Sequence, residues 1–146
     1  MGTMICHLEL KPGVRLHGTS AEIMFATEVV REVWEEYGAP VCRVTAGVDG
    51  RHSPLGEHYK GDALDFSTRT IPLPVTSLLV SAEESRQQRV REAVAKVATW
   101  LGASYLATDD HKNPMFQGLN FFLILEDVGQ PNEHLHVSYR PQGFGV

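Results

Sequence analysis

Two segments of the chain place hydrophobic residues at the spacing of an amphipathic helix. In residues 21–38, AEIMFATEVVREVWEEYG, apolar positions recur every three or four residues. A threonine and a serine just before this segment can cap it, and its final glycine can end it. Residues 82–102, AEESRQQRVREAVAKVATWLG, show the same period after a capping-box pattern made by Ser81 and Glu84. We therefore predict two helices, each with one buried face.

Shorter stretches show the alternation or the apolar run that is typical of strands. The strand-like stretches are ICHLEL (5–10), APVCRVTAG (39–47), DALDFST (62–68), ASYLAT (103–108), NFFLILEDV (120–128) and EHLHVSYR (133–140). The turn-rich stretches VDGRHSPLGEHYKG (48–61) and DDHKNPMFQG (109–118) are predicted to be loops. TIPLPVTSLLV (70–80) is predicted to be an extended connection, because its two prolines remove backbone donors.

This order of elements predicts an α+β domain. Two helices and about five strands in mixed order are typical of an antiparallel or mixed sheet with helices packed mainly on one face. A chain of 146 residues is long enough to bury its own core, so we expect residues 1–146 to form a single domain. Hydrophobic residues at 42% and charged residues at 21% indicate a globular protein.

The charge balance argues against one broad class of partner. A net charge of -5 does not favour binding to nucleic acid or anionic membranes, and Arg86, Arg89 and Arg91 are predicted to lie on a solvated helix face. No stretch predicts a membrane span, and the first residues lack the layout of a signal peptide, so we expect a cytoplasmic location. Cys6 and Cys42 are predicted to be reduced thiols.

Three histidines and one carboxylate form a candidate site. His134 and His136 are two residues apart in a predicted strand, so their side chains project from the same face. Asp65 lies between two apolar residues, where a buried carboxylate is costly unless it is paired, hydrogen-bonded or bound to a metal. His58 precedes Asp65 by seven residues, and Gly61 between them permits a sharp turn.

These positions suggest a ligand set for a metal. His58, Asp65 and His136 would supply two nitrogens and one oxygen and leave a position for water, as in catalytic zinc sites. Glu133, three residues before His136, is a candidate general base for metal-bound water. Spacing alone does not show that these side chains meet. A polar cluster in a structural α+β domain, which would bind no metal tightly, stays open as an alternative.

Two motifs resemble those of one group of metallopeptidases. HYKGDALD (58–65) matches His-x-x-Gly-x-Ala-x-Asp, and EHLH (133–136) matches Glu-x-x-His, in this order. Together they resemble the D-Ala-D-Ala metallopeptidase group. That group includes D,D-carboxypeptidases, D,D-dipeptidases, phage L-alanyl-D-glutamate endopeptidases and, as a divergent relative, the hedgehog signalling domain. The similarity covers about residues 44–140.

The resemblance implies a hedgehog/D,D-peptidase-like fold and a zinc-dependent hydrolase. Its substrates would be peptidoglycan peptides or D-Ala-containing dipeptides. Zinc would be bound by His58, Asp65 and His136, and Glu133 would act as the general base. With no signal peptide seen, an endolysin that degrades the cell wall would be released to it by a separate route.

The resemblance also implies roles for residues near the ligands. Arg51 would bind the substrate and stabilise the developing oxyanion, because an arginine presents a fixed cation with several donors. His52 would contact the substrate beside it. His134 would face the cleft and donate a hydrogen bond to the substrate or the intermediate.

Two further alternatives remain open. The stretch GRHSPLGEHYKGDALDF (50–66) also resembles the hedgehog version of the motif, and Gly56 replaces a serine that is usual in the peptidases. Hedgehog domains keep zinc but act in binding, so a non-catalytic zinc-binding recognition domain is one alternative. An iron oxygenase also uses two histidines and a carboxylate, but its His-x-Asp spacing is absent because Lys60 stands two residues after His58.

Overall fold

The fold is that of a seven-stranded sheet with two helices, described from a computed structural model for residues 5–47, 62–73 and 82–143. The helices are α1, Ala21–Glu36, and α2, Ala82–Trp100. The strands are β1 His7–Leu10, β2 Val41–Ala46, β3 Ala63–Ser67, β4 Ser104–Thr108, β5 Pro114–Gln117, β6 Phe121–Glu126 and β7 His134–Tyr139. The predicted α+β class is confirmed.

The sheet is mixed, and its order brings distant parts of the chain together. The strands lie in the order β1-β2-β3-β7-β6-β5-β4. β1 runs parallel to β2, and every other neighbouring pair is antiparallel. β7 therefore lies between β3 and β6, which places the two predicted motif strands side by side.

α1 follows from local capping and from a continuous apolar stripe. The side chain of Ser20 accepts a hydrogen bond from the Ile23 N–H at 3.2 Å, as an N-cap residue does. Gly38 follows the helix with a φ of 85°, in the left-handed region that favours glycine. The buried Trp34 donates from Nε1 to the Ser67 carbonyl at 3.0 Å, which ties α1 to the end of β3.

Both helices cover the same face of the sheet, as the sequence predicted. α1 and α2 contact each other and both contact the sheet, so they pack on one side of it. Alternate residues of β3 and β7 point into this core, namely Leu64, Phe66, Leu135 and Val137. The residues between them face the opposite side of the sheet, and Asp65 and His136 are among these.

One predicted loop contains a strand. β5 lies within the stretch 109–118 and pairs with β4, with Pro114 opposite Thr108. Proline is compatible with the first residue of a strand, because a missing donor there breaks no ladder in the middle of a strand. With β5, the six strand-like stretches of the sequence become the seven strands of the sheet, where about five strands were expected.

The two cysteines lie in the core and are not joined by a disulfide. Cys6 and Cys42 are buried free thiols, in agreement with the prediction of reduced cysteines.

Within residues 5–47, 62–73 and 82–143, neither helix is long and apolar enough to cross a membrane. The loop predicted at 48–61 and most of the connection at 70–80 lie outside the described residues.

Candidate metal centre

The structure brings Asp65 and His136 into direct contact. The register of β3 against β7 sets the two residues opposite each other. The His136 Nδ1 lies 2.9 Å from the Asp65 Oδ1, with the side chains 18% and 15% exposed. The imidazole and carboxylate, 71 residues apart in sequence, thus form a hydrogen-bonded pair on the face of the sheet away from the helices.

His134 lies on the same face and next to three carboxylates, one of which is Asp127, whose Oδ2 is 3.8 Å from the His134 Nδ1. Its Nε2 is 3.5 Å from the Glu126 Oε1 and 3.8 Å from the Asp65 Oδ2. Its Nδ1 is 2.8 Å from the carbonyl oxygen of Asn132, which can only accept, so Nδ1 carries the proton. The predicted common face of His134 and His136 is therefore observed.

The surroundings of His134 favour its protonated form. Burial alone would lower the pKa of this imidazole, but the hydrogen bonds to Glu126 and to the Asn132 carbonyl, with the charge of Asp65, outweigh burial and raise the pKa to about 9. The same contact with His134 lowers the pKa of Glu126 below its ordinary value. At neutral pH the site thus presents a cation beside its carboxylates.

Glu133 has a different environment. It is 1% exposed, and its Oε1 accepts hydrogen bonds from the Arg86 Nη2 at 2.9 Å and from the Thr68 hydroxyl. Its Oε2 accepts from the Gly129 N–H at 2.8 Å. In the part of the chain that the structure describes, these three donors are the contacts of the carboxylate, and neither Asp65 nor His136 is among them.

Arg86 holds this buried network together. Its guanidinium also donates to the Thr68 carbonyl at 3.1 Å and to the Glu83 carboxylate, so all its nitrogens have acceptors. Arg86 is 4% exposed, which corrects the prediction that it lies on a solvated helix face. The signal was present in the sequence, since Arg86 precedes Val90 by four residues and so shares its buried helix face.

A groove of about 550 Å³ lies beside the Asp65 and His136 pair. It is bordered by Asp65, Ser67 and His134 on one side and by Arg43 and Thr45 of β2 on the other. The Thr45 hydroxyl contacts the Asp65 carbonyl at 3.4 Å, which links the two sides. A peptide-sized ligand in this groove could therefore reach the Asp65 carboxylate and the His134 imidazole from the solvent.

The predicted site is only partly within the described residues. His58, Arg51 and His52 lie outside them. Among residues 5–47, 62–73 and 82–143 there is no group of three or more histidine, cysteine, aspartate or glutamate side chains that could hold a metal ion. Asp65 and His136 supply one oxygen and one nitrogen donor in contact, which fits two of the three ligands of a zinc site.

Two residues of the site escaped the sequence prediction. Glu126 pairs with His134 across β6 and β7, and Arg43 borders the groove from β2. Glu126 could be identified only from its cross-strand pairing with His134. That pairing depends on the order of the strands in the sheet, which local sequence patterns do not predict.

Comparison of this chain with known proteins identifies no relative, so the interpretation of the site rests on its own residues. No protein-family model, no curated protein and no solved structure matches it.

Proposed function

We propose that this chain is a zinc-dependent peptidase that hydrolyses D-amino-acid-containing peptides of the bacterial cell wall. The observation that carries the proposal is the contact between Asp65 and His136, at 2.9 Å. Both residues are ligands in the metallopeptidase motifs that the sequence resembles, and they meet although 71 residues separate them in the chain. A purely structural polar pair would not require the motif residues His58 and Gly61 before Asp65.

The donor set suits zinc. His58, Asp65 and His136 would hold the ion, giving two imidazole nitrogens and one carboxylate oxygen. Bound there, zinc would polarise the scissile carbonyl and lower the pKa of its bound water. The contact between Asp65 and His136 fixes the orientation of both side chains before any ligand arrives, which reduces the ordering cost of binding.

His134 supports the same function from beside the ligands. Its Nε2 points toward Asp65 and Glu126 at the groove, while the Asn132 carbonyl fixes its Nδ1. A protonated imidazole in this position can donate to a carboxylate of the substrate or to an oxyanion that develops during hydrolysis. Arg51 would add a second cation, as the motif resemblance implies.

Glu133 is the proposed general base. To act as one, its buried carboxylate must reach a water molecule near Asp65 and His136. The side chain accepts from Arg86, Thr68 and Gly129, so it is fixed in position and would need a path to the water near Asp65 and His136. Gly129 has a φ of 82°, which turns its N–H toward the carboxylate.

A second candidate function is favoured by that same buried network. If Glu133 serves only to pair with Arg86, the zinc site lacks its base, and the chain is a non-catalytic zinc-binding recognition domain. Both functions use the same proposed ligands, so zinc binding alone does not separate them. The peptidase would act on free peptides in the cytoplasm or on the wall after release by a separate route.

The deciding experiment is a digest of purified muropeptides and D-Ala-D-Ala with zinc-loaded protein, followed by mass spectrometry. Glu133→Gln is run beside the parent, because this change keeps the size of the buried side chain. Glu32→Gln, on the exposed side of α1, is the matched control. Zinc content and circular dichroism are measured for all three proteins.

We expect the parent and Glu32→Gln to cleave and Glu133→Gln to lose about 100-fold or more in rate while retaining zinc. Zinc binding without cleavage by any of the three proteins would favour the recognition domain. Cleavage by Glu133→Gln at the parental rate would assign the base to another group. Failure to bind zinc would overturn both candidate functions.

A further inference from the structure

Besides His134, the described residues that border the groove include the cationic side chains of Lys11, Arg43 and Arg69, and these three differ in how far their donors are occupied. Arg69 donates from Nε and Nη2 to the Gln130 carbonyl and from Nη1 to Glu83, so it is held by the protein. Among the described residues, Arg43 donates from Nε alone, to the Glu9 carboxylate at 2.6 Å. Within the part of the chain that the structure describes, Lys11 makes no side-chain ion pair or hydrogen bond.

Lys11 and Arg43 thus present donors that have no acceptor among residues 5–47, 62–73 and 82–143. The pair of Arg43 with Glu9 is exposed, with side chains 41% and 43% accessible, and such pairs contribute little to stability. A carboxylate from another molecule can therefore compete for Arg43 at low cost. The Lys11 N–H donates to the Val44 carbonyl at 2.9 Å, which fixes its backbone at the same end of the groove.

The strand register places Arg43 at a defined distance from His134, which lies next to the proposed metal ligands Asp65 and His136. Val44 pairs with Phe66, so Arg43 lies opposite Ser67, and Ser67 pairs with His134. Arg43 is therefore two strands away from β7, and its backbone lies about 10 Å from that of His134. An extended peptide covers that distance in about three residues.

We propose that Lys11 and Arg43 form an anion subsite for an acidic group of the substrate, about two to three residues from the bond that meets Asp65 and His136. This inference rests on the proposed function for the identity of the reacting bond. It assigns the substrate class more narrowly, as peptides that carry a carboxylate at this distance.

The chemistry of the subsite is that of a charge-assisted pair. The Arg43 terminal nitrogens can bind both oxygens of a carboxylate, and the Lys11 ammonium adds a second cation beside it. Since the chain as a whole has a net charge of -5, these cations oppose the general repulsion of an acidic peptide.

The test compares binding of one purified muropeptide with binding of the same muropeptide after its carboxylates have been converted to amides. Isothermal titration is done on metal-free protein, which prevents hydrolysis and removes any contribution of zinc. The variants are Arg43→Gln, Lys11→Gln and the double variant, with Arg91→Gln and Lys96→Gln on α2 as controls of matched charge. Glu9→Gln is included because it releases Arg43.

We expect the double variant to bind the native muropeptide at least about tenfold more weakly than the parent does. The amidated muropeptide should bind weakly to both proteins, the controls should match the parent, and Glu9→Gln should bind the native muropeptide more tightly. Equal binding of native and amidated muropeptide, parental binding by the double variant, or no binding at millimolar concentration would each overturn the subsite.

Cleavage by zinc-loaded protein is scored separately. Charge-dependent binding without cleavage would retain the subsite and reject the peptidase. Cleavage that depends on neither Arg43 nor Lys11 would retain the peptidase and reject the subsite.

Discussion

The two sides of the sheet each carry an arginine-glutamate pair, and the pairs differ in burial. On the helix side, Arg86 and Glu133 have side chains 5% and 0% exposed and are joined by Thr68. On the groove side, the side chains of Arg43 and Glu9 are 41% and 43% exposed. Water can replace a partner in the second pair but not in the first, so the first should matter for folding and the second for binding.

The largest expected effect comes from breaking the buried pair. Arg86→Met leaves the Glu133 carboxylate without its cation in the core, and we expect the free energy of unfolding to fall by about 3 to 5 kcal/mol. Urea denaturation followed by circular dichroism measures this change. Arg91→Met on the exposed side of α2 is the matched control and should change it by less than about 0.5 kcal/mol. A loss below about 1 kcal/mol for Arg86→Met would show that the buried pair does not stabilise the fold.

The next effect concerns the groove side. Asp65→Asn removes the charged oxygen donor beside His136, and we expect zinc affinity to fall by more than about 100-fold, or about 3 kcal/mol. Competition with a chromophoric chelator measures the affinity. Asp62→Asn, the same chemical change just before β3, should bind zinc as the parent does. Equal affinities for the two variants would remove Asp65 from the ligand set.

A smaller effect should appear in the pH dependence of metal-free protein. The pKa of His134 rises from 6.5 to about 9 on folding, so its stabilising contribution is complete below pH 6.5 and is lost as pH rises through 9. The stability difference between the parent and His134→Gln should be about 1 to 3 kcal/mol larger near pH 6 than well above pH 9. Urea denaturation across this range measures it, with the exposed His111→Gln as control. A pH-independent difference would contradict the prediction.

The smallest effect is expected at the exposed pair. Glu9→Gln should change the free energy of unfolding by less than about 1 kcal/mol, because both side chains of its pair with Arg43 are well solvated. The same urea experiment measures this change. A loss above about 2 kcal/mol would mean that the two pairs are energetically alike and that Arg43 is not available to a ligand.

The helices and most strands could be predicted from the sequence, because their signals are local. The 3.6-residue period of α1 and α2, and the apolar alternation of β3 and β7, need no tertiary information. β5 was missed because four residues between turn formers carry too little pattern.

The candidate site was predictable only in part. The motifs and the period of a strand identified Asp65, His134 and His136, and the structure places them on one face. Partners from other elements were not predictable, because the burial of Arg86 and the position of Glu126 opposite His134 depend on the strand order and on helix packing. Local rules find the reactive groups, and tertiary contacts decide what surrounds them.

Successive side chains of β7 lie on opposite faces of the sheet, and this limits which sequence changes the strand can accept. Leu135 and Val137 fill the core, while His134 and His136 lie between them on the groove side. A single residue inserted after Glu133 would exchange the two sets, placing imidazoles in the core and aliphatic side chains at the groove. Substitutions can alter either set alone, whereas an insertion or deletion of an odd number of residues in β7 changes the core and the groove together.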